Sequence, residues 1–361
     1  MKKKNLILII VTAVVVVTAG VVAYLLSRPT FKQDYHIEDV STITKIFIAD
    51  KESHEVTLQR EGDSAWVVDG TYAASQPLVD LLLETLNTMR IRQQVNKNAA
   101  PNAIKDIAAH GIKVEVYQEV PFINWFGGRL KLFSRERLTT TYYVGRETQD
   151  MMASFMYRKG DDAPYIIHIP GFRGFLTPRF VADPLKWRSH TIVHLNVREI
   201  ERIELEIPEQ EEESFAIVRD GEGFAMEMLQ SRQRVEGFDT ARVAQMLSAF
   251  AYLNFDEFAS IVPNTFADSC VSGTPRTILR ITDTQGNQSE VKTYIKYNNP
   301  IDTQTMPDPE MYDVFDLNRL YAIINHGSEE KDTVLIQYFV FDNILQPASY
   351  FRGADKTTFA R

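Results

Sequence analysis

VTLQREGDSAW, residues 56–66, decides the reading of this chain, because a second version of it stands at residues 215–224 as FAIVRDGEGF. Each is an alternating apolar and polar run, then an arginine followed by an acid, then a glycine-containing turn, then an aromatic. Period-two alternation marks a half-buried strand, and the glycine turn joins it to the next strand as a hairpin. Arg60 matches Arg219, and Trp66 matches Phe224.

Working outward, the likeness continues. ITKIFI (Ile43–Ile48) precedes the first version and IERIEL (Ile200–Leu205) the second, both alternating as strands do. A helical pattern follows each. In SQPLVDLLLETLNTMRI, residues Val79, Leu82, Leu83, Leu86 and Met89 share one face, and in DTARVAQMLSAFAYLNF so do Val243, Met246, Leu247, Phe250 and Leu253, at a constant offset of 164. Such a stripe buries against a sheet. Ser75 and Asp239 stand at N-cap positions, and Pro77 fits the first helical turn.

More strands follow: IKVEVY (Ile112–Tyr117), RLKLF (Arg129–Phe133), TTYYVG (Thr140–Gly145) and YIIHI (Tyr165–Ile169) in the first half, and TILRIT (Thr277–Thr282), VKTYIKY (Val291–Tyr297) and VLIQYFVF (Val334–Phe341) in the second. A short helix is expected near Asp316. Past each final strand lies a terminator, with Phe175–Pro178 set on Ile344–Pro347 at a shift of 169. Strands dominate and helices do not alternate with them regularly. The fold class is therefore α+β: two similar modules of mainly antiparallel strands, each with a packed amphipathic helix, after an N-terminal transmembrane helix. The expected boundaries are 1–30 for the cytoplasmic tip and anchor, 31–187 for the first module and 188–361 for the second.

The anchor is read from LILIIVTAVVVVTAGVVAYLL, Leu6–Leu26, 21 residues without a charge behind Lys2, Lys3 and Lys4. That length crosses about 30 Å of hydrocarbon at about 1.5 Å per residue. The lysines should stay cytoplasmic, which puts the bulk of the chain in the periplasm as a single-pass inner-membrane protein. The competing reading is a signal peptide cleaved after Ala23. The net charge is -9, and no clustered basic face suggests nucleic acid.

These features resemble the Bacteroidota-type envelope proteins of the family catalogued as domain of unknown function 4340. The resemblance is carried by the basic start and apolar segment, the ITKIFI opening, GDSAWVV, PLVDLLLETLNTM and the junction LKWRSHTIVHLNVREIERIEL. It implies an envelope setting, because members are associated with transporter-like systems whose auxiliary components are linked to gliding motility. It implies no chemistry for any residue.

No phosphate-cradling loop occurs, since Gly127-Gly128 lacks the following lysine and helix. His190 and His194 would share a metal on a helix, but Thr191, Ile192 and Val193 favour a strand, where they lie about 13 Å apart. His168 reads as a strand histidine, and Cys270 as a small buried residue. The acids Asp161, Asp162, Asp256, Glu257, Asp302 and Asp308 read as turn residues. No catalytic residue, cofactor or metal is expected.

One hairpin stands out. VPFINWFGGRLKLF (Val120–Phe133) crowds Phe122, Ile123, Trp125 and Phe126 beside Arg129, where the second module has the polar DTQGNQSE (Asp283–Glu290). Apolar side chains at a hairpin tip gain nothing in water, so they cover the sheet or the neighbouring module, contact a partner or the membrane surface, or close over a small ligand. The favoured function is a membrane-anchored envelope scaffold or accessory subunit of a transporter-like or gliding-type complex. It would act by protein–protein contact with other envelope or inner-membrane proteins, and touch the membrane through residues 6–26. The alternatives are a glycan- or lipid-binding protein with a cleft lined by Trp66, Trp125 or Trp187, and a hydrolase using acidic residues.

Overall fold

The computed structural model describes residues 12–20, 35–62, 64–125, 130–261, 265–297, 315–325 and 331–354, with the side chains of 122–125, 130–132, 261 and 265–266 left aside. The chain divides into two compact units, Met1–Ser189 and His190–Arg361.

The first unit is one nine-stranded antiparallel sheet. Its strands are β1 (Ile43–Ala49), β2 (Glu55–Glu61), β3 (Ala65–Val68), β4 (Tyr72–Ala73), β5 (Arg90–Gln94), β6 (Ile112–Trp125), β7 (Leu130–Glu147), β8 (Ser154–Arg158) and β9 (Tyr165–His168), in the order β4-β3-β2-β1-β6-β7-β8-β9-β5. Helix α1 (Gln76–Thr88) lies between β4 and β5, and α2 (Ala100–His110) between β5 and β6.

The second unit repeats this order. A two-stranded pair, β10 (Thr191–Val193) with β15 (Leu253–Asn254), accompanies a second nine-stranded sheet. Its members are β11 (Ile200–Glu206), β12 (Phe215–Asp220), β13 (Gly223–Met228), β14 (Arg234–Val235), β16 (Glu257–Phe258), β17 (Thr277–Asp283), β18 (Gln288–Tyr297), β19 (Phe315–Asn325) and β20 (Lys331–Gln337). They run β14-β13-β12-β11-β17-β18-β19-β20-β16, strand for strand the order of the first sheet. Helices α3 (Thr240–Ala249) and α4 (Thr265–Val271) take the places of α1 and α2.

The first strand of each unit is not a plain alternation. Ile43, Ile46 and Ile48 are buried in β1, and Ile200, Ile203 and Leu205 in β11. The three-residue step comes from a register shift of β1 against β6, between Ile43 and Lys45, and of β11 against β17, between Ile200 and Arg202. A bulge of this kind interrupts the ladder. At both interruptions the matched arginine supplies a bond. Arg60 Nε donates to the Ile43 carbonyl (2.9 Å) and Nη2 to Val40 (3.3 Å). Arg219 Nε donates to Ile200 (2.9 Å) and Nη2 to Val197 (2.8 Å). Each guanidinium also lies on the facing aromatic ring, 4.8 Å from Trp66 and 4.9 Å from Phe224. One side chain thus joins the entry turn, β1, β2 and β3, or their counterparts.

The helical faces bury as a stripe. Val79, Leu82, Leu86 and Met89 join one core with Ile46, Leu58, Trp66 and Val116, and half-buried Leu83 packs against it. Val243, Met246, Leu247, Phe250 and Leu253 are all buried in the second unit. Two backbone bonds fix each helix at its ends. Ile37 N donates to Leu86 O and Leu195 N to Phe250 O, while Ser75 N donates to Trp187 O and Asp239 N to Phe351 O. Asp239 also caps α3 through its carboxylate, whereas the Ser75 side chain makes no cap bond. Because Trp187 and Phe351 are also 164 apart, the terminator aligns in the frame of the helices and not at the expected shift of 169.

The second helix of each unit covers the opposite sheet face. Buried Ile107 of α2 meets Gly145 of β7, where a Cβ would stand 2.7 Å from Ile107 Cγ1. Ladder registers put Tyr294 of β18 at the corresponding position, and it packs in a cluster with the small Ala267 of α4. Bulk on the helix in one unit is bulk on the sheet in the other.

Three further expectations are corrected. RLKLF and TTYYVG belong to one continuous strand, β7. The segment at Asp316 is strand β19 and not a helix; the Asp316 carboxylate accepts from Asn318 N and Arg319 N, the bonds that a helix cap and a side-chain turn share. And among the described residues no helix is long and apolar enough to cross a membrane. Residues 12–20 are helical. The rest of the expected span, 6–11 and 21–26, and the cleavage point at Ala23 lie outside the described residues. The membrane anchor fails on this finding. With it go the anchored scaffold, the single-pass inner-membrane location and the membrane partners inferred from it.

Hydrogen bonds from a charged donor contribute about 1.5–3 kcal/mol each, and exposed ion pairs about 0–1. Arg60→Met and Arg219→Met should therefore each lower stability by about 2–3 kcal/mol. Breaking the exposed Lys45–Glu136 pair by Lys45→Met should cost less than about 1. Chemical denaturation of the three variants checks the ranking.

Candidate functional site

The expected contact residues sit where β6 and β7 outrun their sheet. These two strands pair from Ile112 opposite Val144 to Trp125 opposite Leu130, with one register shift between Val116 and Tyr117. Their neighbours stop early: β1 accompanies β6 only as far as Gln118, and β8 accompanies β7 only over Tyr142–Glu147. Beyond those points the two strands form a ribbon with only each other among the described residues. Its base is braced. Glu136 accepts from Lys45 Nζ (2.8 Å) and Thr44 Oγ1 (2.6 Å), and Gln118 bonds Thr42 and Thr139.

Phe122, Ile123 and Trp125 are on β6, with Ile123 opposite Leu132; Phe126 and Arg129 lie outside the described residues. The sequence reading missed the shank. Phe133 is 71% exposed, Leu138 is 44% exposed, and Arg135 and Arg137 are exposed between them. The signal was present in FSRERL, residues 133–138, as an apolar residue and two arginines at period two. In the second unit the equivalent turn is tight and polar, with Asp283 Oδ1 accepting from Gln285 N and Asn287 N.

The second unit lengthens a different hairpin, β18–β19. Tyr297 faces Phe315 across it with rings 5.2 Å apart. Leu317 is exposed nearby, and Phe339 is 89% exposed. A shallow depression of about 430 Å³ is lined by Asp316, Leu317, Arg319, Tyr338 and Phe339.

The family described as "Domain of unknown function (DUF4340)" matches residues 66–270, more than half of the chain. The chain belongs to this family. No curated protein and no solved structure matches it. The matched stretch begins in β3 of the first unit and ends in α4 of the second, so it contains parts of both.

The residues weighed for chemistry do not converge. His190 stacks on Phe255 with ring centres 4.5 Å apart, and His194 lies tilted against Tyr252 at 4.6 Å. His168 lies on β9 with its backbone opposite Arg90. Cys270 is half-buried against the α4 cluster. Trp66 and Trp187 are buried in the first core, so neither lines a cleft. Gly127, Gly128, Asp302 and Asp308 lie outside the described residues. Asp161 accepts from Arg158 and from Tyr35 Oη at 2.7 Å, and burial followed by this bond pushes the Tyr35 phenol far above its ordinary range. Asp256 accepts from Gln337 Nε2.

Asp50, Glu52 and His54 bring ligand atoms within 4.8 Å of one another in the β1–β2 turn. Asp50 Oδ1 accepts from Glu52 N and His54 N, and Oδ2 meets His54 Nδ1 at 2.8 Å. Asp283 closes its own turn with the same bonds, and Asn287 stands in the place of the histidine. A turn lock explains both.

The ion pair Lys296–Asp316, 2.9 Å and well covered, holds the base of the β18–β19 extension. Burial alone would raise the Asp316 carboxyl, but the bonds from Lys296, Asn318 N and Arg319 N outweigh it and leave the pKa below the ordinary value. A depressed carboxyl stabilises the fold above its unfolded pKa, about 3.9, and the contribution disappears as pH falls through the folded value. Asp316→Asn should therefore lower stability by about 1–2 kcal/mol at neutral pH, with the difference from wild type shrinking below about pH 4. Denaturation curves across that range measure it.

Proposed function

We propose that this chain is a binding protein that acts by protein–protein contact, with the β6–β7 ribbon as its contact element and Phe122, Ile123, Trp125, Phe126 and Arg129 at its end as contact residues. One observation carries the reading: both strands continue beyond every neighbour in the sheet, in a unit whose counterpart ends the same hairpin in a tight polar turn. A two-stranded ribbon is marginally stable in water by itself. Apolar residues placed along it gain their burial when a second surface covers them. Glycan or lipid binding is less well supported, since two of the three tryptophans that would line its cleft are core residues. The envelope setting rests on the family resemblance alone.

The test is Trp125→Ser with Phe126→Ser in the full-length chain, carrying a photo-crosslinking residue at Leu138. The thermal midpoint should move by no more than the equivalent of about 1 kcal/mol, while the cross-linked species recovered from native cells should be lost. A large drop in stability with unchanged cross-linking would make these residues part of a packed interior and end the proposal.

A further inference from the structure

We propose that the open edge of β7 binds an extended acidic segment of a protein partner by strand addition, with Arg135 and Arg137 reading its carboxylates and Phe133 as the apolar anchor. This rests on the ribbon as contact element and names the chemistry of what it contacts.

The edge is available. From Leu130 to Thr140 the outer side of β7 has no strand neighbour among the described residues, since β8 pairs with β7 only from Tyr142 onward and Lys159 N bonds Thr141 O. Backbone groups along such an edge template another strand. The ribbon's other edge is blunted: β6 carries Pro121, which offers no N–H and is tolerated in a sheet only where its nitrogen faces away from the ladder.

The side chains match a strand. Arg137 pairs with Gln118 and Arg135 with Val120, in unbroken register, so the two guanidinium groups share one face. Alternate residues of a strand lie about 6.6–7 Å apart, so acids at alternate positions of an added strand fall opposite both. Among the described residues neither arginine has an ion pair. Glu136, the acid between them, is held by Lys45 and Thr44 at the ribbon's base. Two unpaired cations side by side are a local exception in a chain of net charge -9. Phe133 stands two residues before Arg135, largely exposed, with φ at 55°. That left-handed conformation costs a bulky residue about 1–3 kcal/mol. Among the described residues no ring contact to Phe133 offsets that cost.

The occupant is a partner and not a second copy paired edge to edge, because two β7 edges would set arginine against arginine. Arginine and carboxylate instead meet as matching forks.

The probe is a labelled synthetic peptide of alternating glutamate and valine ending in phenylalanine, titrated into the full-length chain by fluorescence anisotropy. A control peptide has lysine for glutamate. The glutamate peptide should bind, weaken as salt is raised, and lose about 10-fold or more in affinity in the Arg135→Glu, Arg137→Glu double variant. Phe133→Ser should weaken it with less salt dependence. Thermal midpoints of the variants should stay near wild type. Equal affinity in the double variant, or equal binding of the lysine peptide, overturns the proposal. So does arginine-dependent binding to phosphatidylglycerol vesicles with none to the peptide. If the peptide fails while Trp125 and Phe126 still control cross-linking, the ribbon remains a protein contact and only the acidic-strand chemistry is wrong. If cross-linking ignores those residues, the contact reading falls as well.

Discussion

Each sheet depends on one arginine placed at a break in the backbone ladder. The bulge at the start of β1, and again at β11, turns Ile43 and Ile200 into the same core as the isoleucines three residues later. It also interrupts the pairing of a carbonyl. Arg60 and Arg219 bond those carbonyls from the next strand, reach the preceding turn, and rest on Trp66 or Phe224 of the strand beyond. A carbonyl left without a donor in a covered site costs about 1–3 kcal/mol, so bulge and arginine stand or fall together. The register of three strands follows from them. From that register follows the apolar face on which the long helix lies.

Around this common wiring the two units have diverged where the core does not constrain them. At the second helix the change is compensated: Ile107 over Gly145 in one unit, Ala267 beside Tyr294 in the other. Interiors tolerate such exchanges when volume is kept. The hairpin ends show no such compensation. The first unit extends β6–β7 and exposes Phe133 and Leu138, and the second extends β18–β19 and exposes Phe315 and Leu317. Ends that differ while the frame stays the same are where a recognition role has room to reside.

Much of the frame was legible in the sequence. The offset of 164 between the helical stripes is kept in the structure by matched bonds at both ends of each helix. The match of Arg60 with Arg219 proved to be a match of hydrogen bonds. What was not legible has physical reasons. The bulges were read as plain alternation because a three-residue step is hidden in a run of isoleucines. Helices α2 and α4 are short, each buries little, and α2 starts from Ala99 without a side-chain cap. Asp316 carries a cap-like signal that a strand turn uses equally well. The apolar N-terminal run satisfied a length rule, but no described helix meets the requirement of a span. Aromatic content points to the tip of the hairpin. The arginines along the shank, which alternation marks more sharply, look like ordinary surface charge in the sequence.

Amide hydrogen exchange of the intact chain, read by mass spectrometry, tests most directly the claim that one frame is built twice and that only its hairpin ends differ. Slowest exchange is predicted in both units at matching places, Ile46–Ile48 with Val114–Val116 and Ile203–Leu205 with Leu279–Ile281, and fast exchange at Glu119 and Val120 and along Ser134–Arg137. Protection confined to one unit, or a ribbon as slow as the sheet centres, would contradict it.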